Sequence, residues 1–419
     1  MSSLCYNRLM YCTQLHLKDF RNYSKLDLSL SPGLSVFQGE NAAGKTTLLE
    51  AIYMLATTKS ARAGSDQELV NLAAEPQFGV PAFARLHANV QRTDDELEAE
   101  IVITRDASAG EELEQPVPAR KRVKLNGSAK RAMDLIGKVN VVLFSPEDLD
   151  LIIGAPSLRR RYFDITLSQV DHRYLRCLQD YSKVIAQRNG YLRQYREKQK
   201  AQKLSGTLRQ KEQLELSIWD EELVKAGSYI IKRRYECVQG LNRRAALLHS
   251  NLLGLLGDSI TPDFELVYQT SFEFTEGVVE NEGQIAAAFT AQLEKVRVQE
   301  FARGVSLAGP HRDDLSFLYE GKNLAVFGSR GQQRTAVLAL KLAEAGWMEQ
   351  QTDERPILLL DDILSELDAG RRQYVLDTVL AISQQVLITT TDLSLFGDAE
   401  RLKKIAQLYK VEIGRVVRL

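Results

Sequence analysis

Cysteine is scarce in this chain. There are 4 in 419 residues, Cys5, Cys12, Cys177 and Cys237, and no two are spaced as C-x-x-C. That argues against a disulfide frame or a cysteine zinc site and fits reduced intracellular thiols. No apolar run is long enough to span a membrane. The first ten residues hold no apolar signal core, so the expected location is cytoplasmic, with either Met1 or Met10 as the start. Excess charge is missing as well: 54 basic against 55 acidic side chains leave a formal net charge of −1. Any nucleic-acid contact must then come from a local basic patch. There is no internal repeat and no aromatic-rich platform. What remains is 44% apolar and 26% charged, as in a globular protein. The length exceeds what one hydrophobic core serves, so two lobes are expected.

Gly39-Glu40-Asn41-Ala42-Ala43-Gly44-Lys45-Thr46 fits G-x-x-x-x-G-K-[ST] at every fixed position. Leu34 to Phe37 reads as a short strand before it, entered from the Ser31-Pro-Gly33 turn, and Thr47 to Leu55 as a helix after it. Such a loop points backbone N–H groups and the positive end of the helix dipole at phosphate oxygens. Lys45 is expected to reach the β- and γ-phosphates of ATP, and the Thr46 hydroxyl to ligate Mg²⁺.

Around this motif the start of the chain reads as β. Thr13, Leu15 and Leu17 alternate with polar residues, as do Leu26, Leu28 and Leu30, with Phe20 to Tyr23 as the turn between. Gly79 to Arg105 suggests two more strands, Ala107 to Pro118 a polar loop, and Arg120 to Gly127 a strand ending in an Asn-Gly turn. From Pro156 to about Ala302 the pattern turns mainly helical, with Leu216, Trp219, Leu223, Ala226 and Ile230 as a buried stripe. Arg188 to Lys203 reads as a solvated helix end or connecting loop. After Leu307 the α/β signal returns. A helix near Gly331 carries Ala336, Leu340, Ala343 and Trp347 on one face, and Ile357 to Leu360 and Val386 to Ile388 read as central parallel strands. The expected fold is α/β: an ATPase head, residues 1–155 and 303–419, split by an inserted helical lobe, 156–302.

The strand Ile357 to Leu360 ends in two carboxylates. Asp361 is placed to hold Mg²⁺ through its water shell and Asp362 to polarise an attacking water. Upstream, Ser329 and the N–H of Gly331 open a second anion-seeking helix N-terminus. One triphosphate has no use for two such sites in one chain. Two copies facing head to tail about a two-fold axis would sandwich two ATPs and use both.

P-loop, Ser329-Arg-Gly331-Gln332, apolar strand with Asp361-Asp362, and Ser365-Glu-Leu-Asp368 occur in the order of the ABC-type ATPases, and resemble most the SMC-related DNA-repair heads. With Phe20-Arg21-Asn22-Tyr23, Phe144 to Leu149, Arg160 to Asp164 and Leu307 to Asp314, the pattern resembles the RecF family from about Leu15 to Thr391. The resemblance implies a bacterial recombination mediator that binds ATP, dimerises, binds DNA and works with RecR and RecO at single-strand gaps so that RecA loads. It implies phosphate-loop roles for Gly39, Glu40, Asn41, Ala42, Ala43, Gly44, Lys45, Thr46 and Thr47. Arg21 and Asn22 are expected near the adenosine. Ser329, Gly331 and Gln332 would act in trans on the γ-phosphate, and Asp368 across the dimer. Thr390 or Thr391 stands where many ABC ATPases place a switch histidine. Asp362 replaces the usual Glu with a carboxylate one methylene shorter, and no His follows the last core strand. Both point to slow hydrolysis, a switch more than a motor. Glu147 is a candidate for the absent Mg-ligating Gln.

Three basic clusters are candidates for DNA: Arg120 to Lys124 with Lys130 and Arg131; Arg159 to Arg161; and Arg188 to Lys203. The first and third are expected to line a phosphate-binding surface. Arg160 and Asp164 are spaced for an i,i+4 ion pair. His311 reads as structural. The alternative function is an ABC ATPase subunit energising a membrane permease, against which the helical insertion, the basic clusters and Asp362 all weigh.

Overall fold

The computed structural model describes residues 9–76, 81–105, 120–202, 210–254, 263–273 and 281–419. The loop expected at Ala107 to Pro118, and Met1, Cys5, Gly79 and Lys203, lie outside them. In chain order the strands are β1 (Met10–Phe20), β2 (Tyr23–Ser29), β3 (Gly33–Gln38), β4 (Phe83–Arg92), β5 (Glu96–Thr104), β6 (Arg120–Leu125), β7 (Ser128–Lys130), β8 (Val141–Phe144), β9 (Phe264–Gln269), β10 (Asp314–Tyr319), β11 (Lys322–Asn323), β12 (Ile357–Asp361), β13 (Gln385–Thr390), β14 (Ala406–Glu412) and β15 (Arg415–Arg418). They divide between two units, one of residues 1–148, 248–257 and 337–419, the other of 149–247 and 258–336.

The first unit holds two six-stranded sheets, ordered β2-β1-β4-β5-β6-β7 and β15-β14-β3-β13-β12-β8. In the second, β8, β12, β13, β3 and β14 run parallel, and β15 folds back antiparallel at the edge. β12 is buried at every residue, as its unbroken Ile-Leu-Leu-Leu run requires of a central parallel strand. The helix Lys45–Thr57 contacts strands of both sheets, β4 and β5 on one side and β8, β12 and β13 on the other. It is apolar on nearly every face because it has two sheets to bury against. This clamps the helix whose first turn forms the site described below.

The first sheet is antiparallel throughout. A β-bulge between Cys12 and Gln14 shifts its alternation. Cys12 therefore points inward, where plain alternation puts Thr13, which is only half-buried. The expected Asn-Gly hairpin forms: Asn126 and Gly127 both take positive φ, 47° and 74°, and join β6 to β7.

The second unit is built from the long helices Pro156–Val170, His172–Gln202, Gln210–Leu252 and Glu282–Arg303. It also contains a small antiparallel sheet, β11-β10-β9. β9 is a strand within the stretch expected to be mainly helical. It is short, and the Asp314–Tyr319 strand that pairs with it lies far on in sequence.

Two charge assignments also change. Arg188 is fully buried within the helix His172–Gln202 and is not part of a solvated end. It donates to Asp220 at 2.8 Å, Glu300 at 2.7 Å and Ser306 at 2.7 Å. Those partners come from separate segments, which periodicity on one helix does not disclose. Arg160 donates to the carbonyl of Asp313 at 2.9 Å, while Asp164 accepts from Arg234 and Tyr174. Asp164 thus pairs with the buried Arg234, at 2.8 Å, in place of the i,i+4 partner. Of the three successive arginines, Arg159 packs inward and clasps Asp314 with two bonds, at 2.6 and 2.9 Å.

Candidate functional site

The parallel register brings the carboxyl ends of four strands together. Gln38 of β3 pairs with Thr390 of β13, Thr389 with Asp361 of β12, and Leu360 with Phe144 of β8. Ligands of open α/β sheets bind beyond such ends. Here the edge carries the loop 39–44, Asp361-Asp362 and the Ser145-Pro-Glu147 turn. A cleft of about 850 Å³ opens there, lined among others by Arg21, Asn22, Asn41, Lys45, Thr46 and Asp362.

Loop geometry follows from its residues. Ala42 takes φ 64° and Gly44 φ 109°. A Cβ on Gly44 would come within 2.4 Å of Asn22 Nδ2 and 2.9 Å of the Tyr23 hydroxyl, so only glycine fits. Asn22 and Tyr23 hold the loop in place, donating to the carbonyls of Ala43 and Gly44, both at 3.2 Å. The helix Lys45–Thr57 has no side-chain cap at its N-terminus. Its first turn thus presents N–H groups and dipole to the cleft.

Lys45 folds back over the loop, donating to the carbonyls of Gly39 at 2.7 Å and Glu40 at 2.8 Å. Burial lowers its pKa, opposed by Asp362 and Asp361. Asp361 is 4% exposed and takes three donors: the Thr46 hydroxyl at 2.8 and 2.9 Å, the Thr389 hydroxyl at 2.7 Å and Arg62 at 3.1 Å. Asp362 has a left-handed backbone, φ 53°. Burial raises its carboxyl pKa, against Lys45 and with Asp361. Asp362 Oδ1 and Asn22 Oδ1 are buried with no hydrogen-bond partner.

These features fit the groups that the sequence implies. Phosphate oxygens would meet Lys45 and the uncapped helix start. Thr46 and Asp361 are hard oxygen ligands of the kind Mg²⁺ takes, with substrate phosphates and water completing its shell. No group of three His, Cys, Asp or Glu is gathered for a metal among the described residues.

Several contributors were not legible in the sequence. Arg62 bridges Asp361 and Glu147, the latter at 2.8 Å. Glu50, 5% exposed, accepts two bonds from Arg21, at 3.0 and 3.1 Å, and one from Ser60. Thr389 reaches Asp361, whereas Thr390 bonds the Asp392 carbonyl and Thr391 is an exposed residue after β13. A charged residue inside an apolar helix, Glu50, was the one available signal. Arg62 and Thr389 gave none.

Ser329 caps the helix Arg330–Thr352. Its hydroxyl accepts from the Gln332 amide at 3.3 Å, and the Gln332 side chain accepts from the Ser329 amide at 2.8 Å. This reciprocal capping box leaves Gly331 exposed. Ala336, Leu340, Ala343 and Trp347 are all buried, as their spacing predicts. Asp368 caps the helix Ala369–Ile382, accepting from the Arg371 amide at 2.9 Å. His311 is structural, as read: its Nδ1 accepts from the Tyr181 hydroxyl at 2.6 Å, and its Nε2–H donates to the Ser306 carbonyl at 3.3 Å.

Residues 11–413 match the family model described as RecF/RecN/SMC N terminal domain. The chain is 46% identical over 407 residues to the DNA replication and repair protein RecF of Roseiflexus castenholzii, covering 97% of this chain and 99% of that one. It is 36% identical to the protein of that name from Bacillus cereus, over 97% of this chain and 98% of the relative. A solved structure described as the recombination mediator protein RecF-ATP in the RecFOR pathway aligns with TM-score 0.81, 30% identity and 100% coverage of both chains. An Smc head domain from Pyrococcus furiosus, 15% identical, aligns with TM-score 0.51 over 98% of this chain and 96% of that one, and shares the fold. The fold is therefore that of the ABC-type, SMC-like ATPases, and the chain belongs to the RecF family of DNA replication and repair proteins.

Proposed function

We propose that this chain is an ATP-dependent recombination mediator that dimerises on ATP, binds DNA at single-strand gaps with RecR and RecO, and uses slow hydrolysis as its release switch. The observation that supports this most is the contact of the Thr46 hydroxyl with Asp361, at 2.8 Å, beside an uncapped helix start. It joins residues far apart in sequence at the carboxyl edge of one parallel sheet.

Lys45 and the first-turn amides would hold the triphosphate, Lys45 leaving the carbonyls of Gly39 and Glu40 for it. Thr46 and Asp361 would hold magnesium, which supplies positive charge against phosphate oxygens. Asp362, with an unpartnered Oδ1 in the cleft, would position the attacking water. Its side chain, one methylene shorter than Glu, holds that water less well, in keeping with a slow switch. Ser329 and Gly331 of one copy would cap the γ-phosphate held by the other, with Gln332 and Asp368 at the same junction. The roles of Arg21 and Asn22 near the adenosine rest on their place in the cleft lining.

A permease-energising subunit is not favoured, since the relatives are named as DNA replication and repair proteins. The test is binding to labelled gapped duplex, plain duplex and single strand, each with ATP, ADP or no nucleotide. The proposal expects binding that needs ATP and is best at a gap or duplex. Equal binding with and without ATP would contradict it.

A further inference from the structure

One residue of each basic cluster read from sequence turns inward. Lys121 turns inward to Asp66 and the Thr58 carbonyl, and Arg159 and Arg188 are buried. A different alignment emerges from strand register. In the antiparallel sheet, Lys25 pairs with Lys18, Lys18 with Arg85, Arg85 with Val102, and Val102 with Arg122. Directly paired residues share a face. The other face, with Leu15, Leu86, Ile101 and Val123, is buried. Four cations from four strands thus stand in one row across the sheet, all exposed. At about 4.8 Å per strand, the row is about 19 Å long.

Like charges in adjacent strands cost stability, and the fold only partly compensates them. Lys25 has Asp27 at 3.3 Å, which also bonds His16. Arg85 donates to Glu100 at 2.6 Å, a carboxylate shared with Lys124. Lys18 lies over the Phe83 ring at 4.9 Å, and neither Lys18 nor Arg122 has an ion pair among the described residues. The row ends beside exposed Arg120, one alternation along β6.

We propose that this row is a contact track for the phosphate backbone of duplex DNA laid across the strands. The inference rests on the DNA-binding reading above and names its surface. Duplex carries a charge every 1.7 Å or so along its axis, so about 19 Å of it offers enough phosphates on the facing side for each cation. Phe83 lies under Lys18, which suits backbone contact better than base stacking.

The experiment is a salt titration of duplex binding, with ATP present, for wild type, for Lys18→Gln with Arg122→Gln, and for a control of equal charge change, Lys403→Gln with Lys404→Gln. ATP binding is measured on all three and should be retained. The sheet pair should weaken duplex binding at low salt and lower the log–log salt slope by about 2, at roughly 0.9 for each phosphate no longer neutralised. The control should match wild type. A sheet pair with the wild-type slope overturns the track and leaves the row to an acidic protein. Wild type that binds no duplex overturns the DNA-binding reading itself, and the track with it.

Discussion

Lys45 and Asp361 both line the cleft and are both already hydrogen-bonded. Lys45 bonds two loop carbonyls, and Asp361 takes Thr46, Thr389 and Arg62. Lys45→Met should remove ATP binding and, with it, dimerisation, as read by nucleotide filter binding and sedimentation together. His311 offers a pH test in the other unit. Burial holds its pKa at about 4, below the ordinary 6.5, helped by Arg312 and Arg160. The unfolded chain takes up a proton as pH falls past about 6.5, but the folded site does so only near 4. Stability from this group is therefore complete above the upper value, lost between the two, and level below. The loss is about 3 kcal/mol. Urea midpoints measured from pH 7 down to 4 should fall less steeply for His311→Gln than for wild type.

At the scale of elements, the strand β14 approaches the phosphate loop closely. A Cβ on Gly39 would meet the Val411 carbonyl at 2.4 Å. Gly39→Ala should shift β14 and cost about 1–3 kcal/mol in urea unfolding. Arg188 joins three helices through Asp220, Glu300 and a loop serine. Arg188→Met leaves buried Glu300 without its cation, while Asp220 keeps Arg297 at 2.8 Å, and should cost about 3–5 kcal/mol, with DNA binding per folded molecule unchanged. These elements also show what the sequence made legible. The strand, loop and helix of the P-loop, the β12 strand with its two carboxylates, and the helix after Ser329 are all readable, because local pattern and turn chemistry specify them. Arg188 is not, because its partners lie in other segments. β9 escapes notice because a short strand inside a helical stretch has no periodicity of its own. The Lys25 to Arg122 row is invisible in sequence because register, not spacing, assembles it.

For the whole molecule, the account requires a site completed by a second copy. Ser329 and Gly331 open a helix that carries a satisfied capping box and an exposed glycine amide position. The P-loop cleft has its own lysine and helix start for the phosphates. Each half has a use when two copies meet face to face. The direct measurement is sedimentation velocity of wild type and Ser329→Arg, with and without ATP, alongside ATP binding. Wild type should shift from monomer to dimer on ATP, while Ser329→Arg binds ATP and stays monomeric. A Ser329→Arg protein that dimerises on ATP as wild type does would contradict completion of the site in trans.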